Sequence, residues 1–352
     1  MVFEKIQPRY LNMPTLKDVK RILILRCGAL GDLIYATSVI DALRMQYGET
    51  VIIDFITTPS IAKLFEYDPR VHQVFHLKHK KFPIWLSPQK REIIHHSKKN
   101  PYDLFISLEF GKQFKSLIKA IHATHKTGMG ILETVDSKES LNRGEITKNY
   151  YRDVIESSIL AHAKPLLIGV AKNQWHQNFS LPENAIIIAP SNSHNQKKGL
   201  NYRAWSFEHW RALIQSISTQ TPVIIVGARG EEAFFDHIKP YPTNVIDMVG
   251  KLTISELITT VQNGDALICT DSATGHIGAA VGTPTFVLMG PNNPITDSPY
   301  KNDSNAVYTI SLGLPCSPCY KTEVMKQCKD NTCMGHITPE MVLTSLKSAN
   351  IV

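Results

Sequence analysis

Two short apolar runs separated by a stretch of small residues constrain the fold of this chain more than any other feature. Residues 266–269 and 285–289 are almost entirely apolar, and the stretch between them is rich in Gly, Ala, Ser and Thr. Runs of this length fit buried strands, and the stretch between them is long enough for a turn and a short helix. We therefore predict a strand–turn–helix–strand unit of an α/β sheet.

The turn in this unit stands where the predicted helix begins. Its residues are Asp271, Ser272, Ala273, Thr274, Gly275 and His276. A helix N-terminus has free N–H groups and a partial positive charge that attract phosphate, and small residues let a ligand approach the backbone. The segment predicts an anion site of the kind that holds a nucleotide diphosphate in α/β folds. The alternative is that Asp271 and Ser272 only cap the helix.

Apolar runs and helical patterns alternate along both halves of the chain. The further predicted strands are residues 21–26, 51–56, 103–106, 185–189, 222–226 and 245–249. The predicted helices include one that continues from a glycine turn through Leu43, and others at residues 205–217 and 254–261. This order predicts two doubly wound Rossmann-like domains that face a cleft. With a linker near residues 163–184, we place the domains at residues 1–175 and 176–352.

Composition narrows the kind of protein further. The chain has 352 residues, of which 43% are hydrophobic and 20% charged, so it can form two cores. No apolar run is long enough to cross a bilayer, and the first residues lack the apolar core of a signal peptide, so we expect a cytoplasmic protein. The formal net charge of +7 favours an anionic partner. Zinc-finger spacing of the Cys/His type, an RNA-binding aromatic signature and a dense arginine stripe are all missing, so we expect no nucleic acid partner.

The turn resembles the donor-binding signature of glycosyltransferase family 9, the bacterial lipopolysaccharide heptosyltransferases. The signature residues that this chain keeps are Asp271, Ser272, His276, Ala279, Ala280, Gly282, Thr283, Pro284, Gly290 and Pro291. Ala273 stands where the family usually has Gly, which tightens the turn without removing the anion site. The resemblance implies the GT-B arrangement of glycosyltransferases, with the acceptor in the first domain and a nucleotide sugar in the second. A dehydrogenase is disfavoured, since the chain has no Gly-x-Gly-x-x-Gly fingerprint.

A second match lies at the start of the first predicted helix. Arg26 ends a strand there, and Gly31 and Asp32 follow a variable turn. The family takes this Asp as the catalytic base, so the resemblance implies that Asp32 removes the proton of the acceptor hydroxyl as its oxygen attacks the anomeric carbon. Gly31 is expected to contact the acceptor. The alternative is that Asp32 only caps its helix.

A basic loop in the second half offers groups for a departing diphosphate, whose charge needs cations or helix N-termini. The candidates are Ser191, Ser193, Lys197, Lys198 and Arg203. Family members have Lys-Arg before the Trp that aligns with Trp205, and this chain has Arg203-Ala204, so Arg203 and the two lysines remain alternatives for the phosphate-binding cation. The chain contains no Asp-x-Asp, and we expect neither a metal nor a cofactor. The other interpretation is a solvated basic loop.

Two acidic residues, Glu231 and Glu232, follow the strand predicted at residues 222–226. The resemblance implies that one of them accepts hydrogen bonds from ribose hydroxyls. Either one is equally suited to the first turn of a helix, where a carboxylate complements the helix dipole.

Four cysteines near the C-terminus have a spacing that also occurs in zinc sites. They are Cys316, Cys319, Cys328 and Cys333. A similar tail recurs in many heptosyltransferases and is not a metal requirement of that family. Structural thiols, a disulfide formed on oxidation and a structural zinc are the alternatives.

Residues 78–86 combine lysines with Phe82, Trp85 and Leu86. Such a segment suits an anionic glycolipid at a membrane face, and Lys80 and Lys81 are the expected acceptor contacts. A solvated loop with one buried Trp fits the same residues.

The resemblance as a whole implies the inverting, metal-free transfer of a heptose from ADP-heptose to the anionic lipid A–Kdo inner core of lipopolysaccharide. The expected partners are this donor, the lipopolysaccharide acceptor and the cytoplasmic membrane surface, with the protein peripheral on the inner face of the bacterial inner membrane. The alternatives are a family 9 transferase for another nucleotide sugar and a non-catalytic protein that binds a sugar nucleotide.

Overall fold

The first half of the chain folds around a parallel five-stranded sheet. The computed structural model describes residues 16–78, 87–109, 111–131, 141–195 and 199–352. The strands of the first sheet are β1 (Arg21–Leu25), β2 (Ile52–Thr57), β3 (Gln73–His76), β4 (Tyr102–Ser107) and β5 (Ala123–Gly128). Their order is β3-β2-β1-β4-β5, and each neighbouring pair is parallel.

Helices cover this sheet on both faces. They are α1 (Leu30–Ala36), α2 (Ser38–Tyr47), α3 (Pro88–Lys99), α4 (Lys115–Ala120), α5 (Arg143–Lys148) and α6 (Ser157–His162). The single helix predicted through Leu43 is divided into α1 and α2 at Thr37. The hydroxyl of Thr37 donates to the carbonyl oxygen of Ile34 at 2.7 Å, a side-chain bond that competes with regular helix bonding.

The second half folds around a parallel six-stranded sheet with the order β11-β10-β9-β6-β7-β8. Its strands are β6 (Ile186–Ala189), β7 (Val223–Ile225), β8 (Val245–Asp247), β9 (Ala266–Thr270), β10 (Thr285–Leu288) and β11 (Val307–Ile310). Every residue of β6, β9 and β10 is buried, as expected for apolar strands covered on both faces.

Eight helices described in this half complete the doubly wound arrangement. They are α7 (Lys172–Phe179), α8 (Phe207–Ser216), α9 (Glu232–Asp236), α10 (Ile254–Gln262), α11 (Ala273–Val281), α12 (Glu323–Gln327), α13 (Thr332–Gly335) and α14 (Pro339–Ser348). Among the described residues, no helix has the length and apolar character needed to cross a membrane. The predicted α/β class with two Rossmann-like sheets is confirmed.

One buried apolar cluster continues from the first half into the second. Ile34 and Ile40 belong to it, as do Ile258 of α10 and Ile277 of α11. The predicted domain boundary after Trp175 falls inside α7, and the division at that point stays a prediction. The shared cluster packs the two halves together along one side of the cleft.

The two sheets direct the carboxyl ends of β1 and β9 toward the contact between the halves. The helices that follow these strands, α1 and α11, touch each other. Gly31 of α1 lies so close to α11 that a Cβ atom built on it would be 2.8 Å from Cδ2 of His276. A Cβ atom at position 31 would therefore require the imidazole of His276 to shift.

Candidate active site

The first half contributes Asp32, which lies in the first turn of α1 directly after β1. The N-cap of this helix is Ala29, and no side chain caps it. Oδ2 of Asp32 is 3.3 Å from Nη2 of Arg26, and Oδ1 is 3.8 Å from Nη1 of Arg143. The side chain is 28% exposed. The carboxylate is therefore held between two guanidinium groups and remains accessible, as a general base must be.

The second half contributes a buried ion pair at the end of β9. Nη1 of Arg203 donates to the backbone oxygen of Asp271 at 3.1 Å and lies 3.4 Å from its Oδ2. Asn292, which follows β10, donates from Nδ2 to the same carboxylate oxygen. Burial raises the pKa of the Asp271 carboxyl, and the neighbouring Arg203 acts in the opposite direction. Asp271 thus fixes Arg203 beside the turn that the sequence predicts as an anion site.

Ser272 is the N-cap of α11, yet its side chain makes no capping hydrogen bond. Its Oγ is buried without a hydrogen-bond partner among the described residues. Buried hydroxyls in native proteins are nearly always hydrogen-bonded, so an unbonded one at a helix N-terminus indicates a ligand position. This hydroxyl, together with the N-terminus of α11, can bind a phosphate oxygen.

The remaining residues of the predicted turn have separate places in α11. Ala273 and Thr274 form its first turn, and Gly275 packs toward the sheet, where an added Cβ would lie 3.1 Å from Sγ of Cys269. The small size of Gly275 therefore serves packing against β9.

His276 of α11 lies at the contact between the two halves. Its ring is 4.8 Å from the ring of Tyr35 in α1, measured between centroids. Burial lowers the pKa of His276 to about 4, so the imidazole is neutral at pH 7. Its Nδ1 has no hydrogen-bond partner among the described residues. A neutral imidazole beside Asp32 can exchange hydrogen bonds with a sugar without adding charge to the site.

The predicted donor loop is connected to its surroundings through Arg203 and Glu231. Nη2 of Arg203 donates to Oγ of Ser193 at 2.9 Å and contacts Nδ1 of His194. Oγ of Ser191 donates to Oε2 of Glu231 at 2.7 Å, and the N–H of Ala228 donates to the same oxygen at 2.8 Å. Glu231 therefore ties together the loops after β6 and β7.

Glu232 differs from Glu231 in that its carboxylate lies at the surface. The N–H of Gly230 donates to Oε1 of Glu232 at 3.1 Å, and hydrogen bonds from its own backbone and from Gly230 lower the pKa of this carboxyl. Because Glu231 is buried and Glu232 is exposed, Glu232 is the better placed of the two to meet a ligand.

The remaining predicted site residues fall into two groups. Lys80, Lys81, Lys197 and Lys198 lie outside the described residues. The four C-terminal cysteines are free thiols, and within the described ranges no group of three or more His, Cys, Asp or Glu residues could hold a metal ion.

Three residues at the site lie outside the predicted sequence motifs: Arg143, Asp297 and Asn292. Arg143 comes from α5 of the first half, and Nε of Arg143 is 2.6 Å from Oδ1 of Asp297 in the second half. Asn292 directly follows Gly290 and Pro291, and its place beside these two signature residues could have predicted it from the sequence. No local pattern marks Arg143 or Asp297, because packing of the two halves brings them to the site.

The two Rossmann-like parallel sheets, one from each half, give this chain the GT-B fold of glycosyltransferases. The sequence profile of glycosyltransferase family 9 (heptosyltransferase) matches residues 94–329. The chain belongs to this family.

Relatives and solved structures agree with this assignment. The lipopolysaccharide core heptosyltransferase OpsX of Haemophilus influenzae is 22% identical over 308 residues, covering 82% of this chain and 84% of that protein. The family 9 glycosyl transferase from Veillonella parvula has a TM-score of 0.75 at 18% identity, covering 94% of this chain and 96% of that one. The Escherichia coli ADP-heptose lipopolysaccharide heptosyltransferase II has a TM-score of 0.70 at 19% identity, covering 93% and 98%. These structures share the fold of this chain.

Proposed function

We propose that this protein transfers a heptose from ADP-heptose to the anionic lipid A–Kdo inner core of lipopolysaccharide, with inversion at the anomeric carbon. The observation that carries the proposal is the meeting of Asp32 from the first half with the N-terminal turn of α11 from the second. This arrangement sets a base on one side of the cleft and an anion site on the other. The similar Escherichia coli protein, an ADP-heptose lipopolysaccharide heptosyltransferase, supports ADP-heptose as the donor.

The diphosphate of the donor binds at the N-terminus of α11. Arg203 supplies the positive charge there, and the unbonded hydroxyl of Ser272 supplies a hydrogen bond. As the sugar leaves, the added negative charge on the diphosphate is stabilised by the same groups. Arg203 and this helix N-terminus replace the metal that an Asp-x-Asp motif would hold, so we propose transfer that is independent of metal. Glu232 accepts hydrogen bonds from the ribose.

Asp32 acts as the general base. Its carboxylate accepts the proton of the acceptor hydroxyl while that oxygen forms a bond to the anomeric carbon and the bond from this carbon to the diphosphate breaks. Attack opposite the leaving group inverts the configuration. Arg26 and Arg143 hold the two carboxylate oxygens, and His276 contacts the donor sugar from the second half.

The acceptor side of the proposal rests on charge. Residues 1–175 carry 26 Lys and Arg against 17 Asp and Glu, whereas residues 176–352 carry 12 against 14. Part of this excess forms a basic face on the first half, which we define as the exposed residues Arg91, Lys98, Lys99, Lys115 and Lys119.

The basic face belongs to one surface of the first sheet. Its residues lie on α3 and α4, and Nζ of Lys90 in α3 donates to Oγ of Ser116 in α4 at 2.9 Å, so the two helices lie side by side. A surface of this charge fits an anionic membrane leaflet. We propose that the protein is peripheral on the cytoplasmic side of the inner membrane, with this face toward the lipid.

The test of the function is transfer by the parent protein and by Asp32→Asn. We expect the parent to release ADP from ADP-heptose only when the Kdo-containing acceptor is present, and to do so in EDTA. Asp32→Asn keeps the shape of the side chain but cannot accept a proton, so kcat is expected to fall about 10²–10⁴-fold while ADP affinity measured by calorimetry is unchanged. Transfer by Asp32→Asn at the parent rate would contradict the assignment of the base.

Two further outcomes separate the alternatives. Transfer from a different nucleotide sugar alone would keep the enzyme class and change the donor. Binding of ADP-heptose without transfer to any acceptor would favour the non-catalytic sugar-nucleotide-binding protein.

A further inference from the structure

The two carboxylate oxygens of Asp32 are held by guanidinium groups with different anchors. Oδ2 faces Arg26, and Oδ1 faces Arg143. Nη1 of Arg26 donates to the backbone oxygen of Leu108 and lies 4.0 Å from Oε1 of Glu109. All of these anchors belong to the first half, so the contact between Arg26 and Asp32 does not depend on the second half.

Arg143, in contrast, is anchored in the second half. Its Nε is 2.6 Å from Oδ1 of Asp297, and its backbone N–H donates to the carbonyl oxygen of Thr296 at 3.0 Å. Nδ2 of the preceding Asn142 donates to the carbonyl oxygen of Ser298 at 2.8 Å. The start of α5 is therefore bound to residues 296–298, which follow β10.

Exposure shows how much Arg143 depends on this anchor. Its side chain is 56% exposed, whereas those of Arg26 and Asp297 are 12% and 16% exposed. A long side chain with half of its surface in solvent does not keep one rotamer without a partner, because ordering it costs conformational entropy. The bond to Asp297 is the contact that orders the guanidinium of Arg143 beside Asp32.

We propose that Arg143 is a positioning residue that orients the carboxylate of Asp32 only while the two halves are in contact through Asp297. The proposal rests on the proposed function for the role of Asp32 as base. It makes the geometry of the base conditional on a closed cleft: when the halves separate, Asp297 withdraws, Arg143 loses its order, and Oδ1 of Asp32 loses its partner. Proton removal is then efficient only when donor and acceptor are enclosed together.

The test compares Arg143→Ala, Asp297→Asn and the double variant in steady-state transfer. Each single variant is expected to lower kcat about 10–100-fold, because a misplaced base loses near-attack geometry. ADP affinity is expected to stay within about twofold of the parent, since neither residue is part of the proposed diphosphate site. The double variant is expected to be no slower than the slower single variant, because both substitutions break one chain of contacts. Arg143→Lys, which keeps the charge, is expected to recover part of the rate.

Tyr300→Phe provides the matched control. Its hydroxyl donates to Oε1 of Glu145 at 2.8 Å and accepts from Nζ of Lys148 at 2.9 Å, so it joins the same helix to the second half without touching Asp32. We expect kcat of this variant to stay within about threefold of the parent. An equal loss in Tyr300→Phe and Arg143→Ala, or a parent-like kcat in Asp297→Asn, would overturn the positioning role.

Hydrogen exchange tests the contact between Arg143 and Asp297 without an activity assay. The amide of Arg143 donates to the carbonyl oxygen of Thr296, so Asp297→Asn is expected to speed exchange at residues 142–148. Unchanged hydrogen exchange in Asp297→Asn would contradict the role of Asp297 as the anchor of Arg143. A parent protein without transfer from any nucleotide sugar would instead refute the proposed function, and the exchange result would still decide whether Asp297 anchors Arg143.

Discussion

At the scale of single residues, His276 combines a buried position with an ionisable group. Burial lowers its pKa to about 4 from an ordinary value of 6.5. Between these two pH values the unfolded chain binds a proton that the folded protein does not accept. The contribution of His276 to the unfolding free energy is therefore fully present above about pH 6.5, and it is lost as the pH falls toward 4.

We expect this residue to contribute a loss of about 2–3 kcal/mol in unfolding free energy between pH 7 and pH 4.5, at 1.36 kcal/mol per pKa unit. Urea unfolding of the parent and of His276→Gln at several pH values measures the difference. The carboxyl groups titrate in both proteins, so the gap between the two curves isolates His276. Curves that run parallel down to pH 4.5 would show that the imidazole is not held neutral.

At the scale of elements, α10 and α11 have opposite kinds of N-terminus. In α10, Thr253 and Glu256 form a capping box: Oγ1 of Thr253 accepts from the N–H of Glu256 at 3.3 Å, and Oε2 of Glu256 accepts from the N–H of Thr253 at 2.8 Å. In α11, Ser272 occupies the cap position, but its side chain makes no capping hydrogen bond. The side chains at the first helix end bond to the backbone there, whereas the Ser272 hydroxyl, with no partner among the described residues, supports the phosphate position proposed above.

This contrast predicts two different responses to alanine. Ser272→Ala is expected to change the unfolding free energy by less than about 0.5 kcal/mol and to weaken ADP binding about tenfold, the equivalent of one hydrogen bond. Thr253→Ala is the control, expected to lose about 1 kcal/mol of stability while ADP affinity stays unchanged. Calorimetry with ADP and urea unfolding measure both quantities. A stability loss in Ser272→Ala equal to that in Thr253→Ala would mean that Ser272 is an ordinary cap.

Sequence patterns predicted the elements that have strong local signals. The unit β9–α11–β10 was predicted because apolar runs flank small residues, and α10 was predicted within one residue at its C-terminal end. β5 was missed because its sequence, Ala-Thr-His-Lys-Thr-Gly, is polar, as an edge strand permits. Asp32 and Ser272 were predicted from their motifs and their roles stay predictions, whereas the Arg143–Asp297 pair depends on packing between the halves and has no local pattern.

At the scale of the whole molecule, positive charge is concentrated in residues 1–175. We expect this charge to attract the first half to an anionic membrane surface. Each lysine near an anionic leaflet contributes about 1 kcal/mol to binding. We expect the parent to bind vesicles that contain anionic lipid, less at high salt, and expect the triple variant Lys98→Glu, Lys99→Glu and Lys119→Glu to bind at least tenfold more weakly in sedimentation assays.

The control reverses the same amount of charge in the second half. Lys321, Lys326 and Lys329 are all exposed there, and changing them to Glu alters the net charge equally. Equal loss of vesicle binding in the two triple variants would mean that net charge, and not the basic face, governs the interaction.

The contact between Gly31 and His276 also has a consequence for the evolution of the donor sugar that the enzyme prefers. Gly31 precedes Asp32, the proposed base, and His276 belongs to α11, the helix proposed to bind the diphosphate. An inherited substitution in that helix that accommodates a new sugar shifts the surface against which the base is set. If the proposed roles hold, we expect a change in donor preference to arrive together with compensating changes around the base.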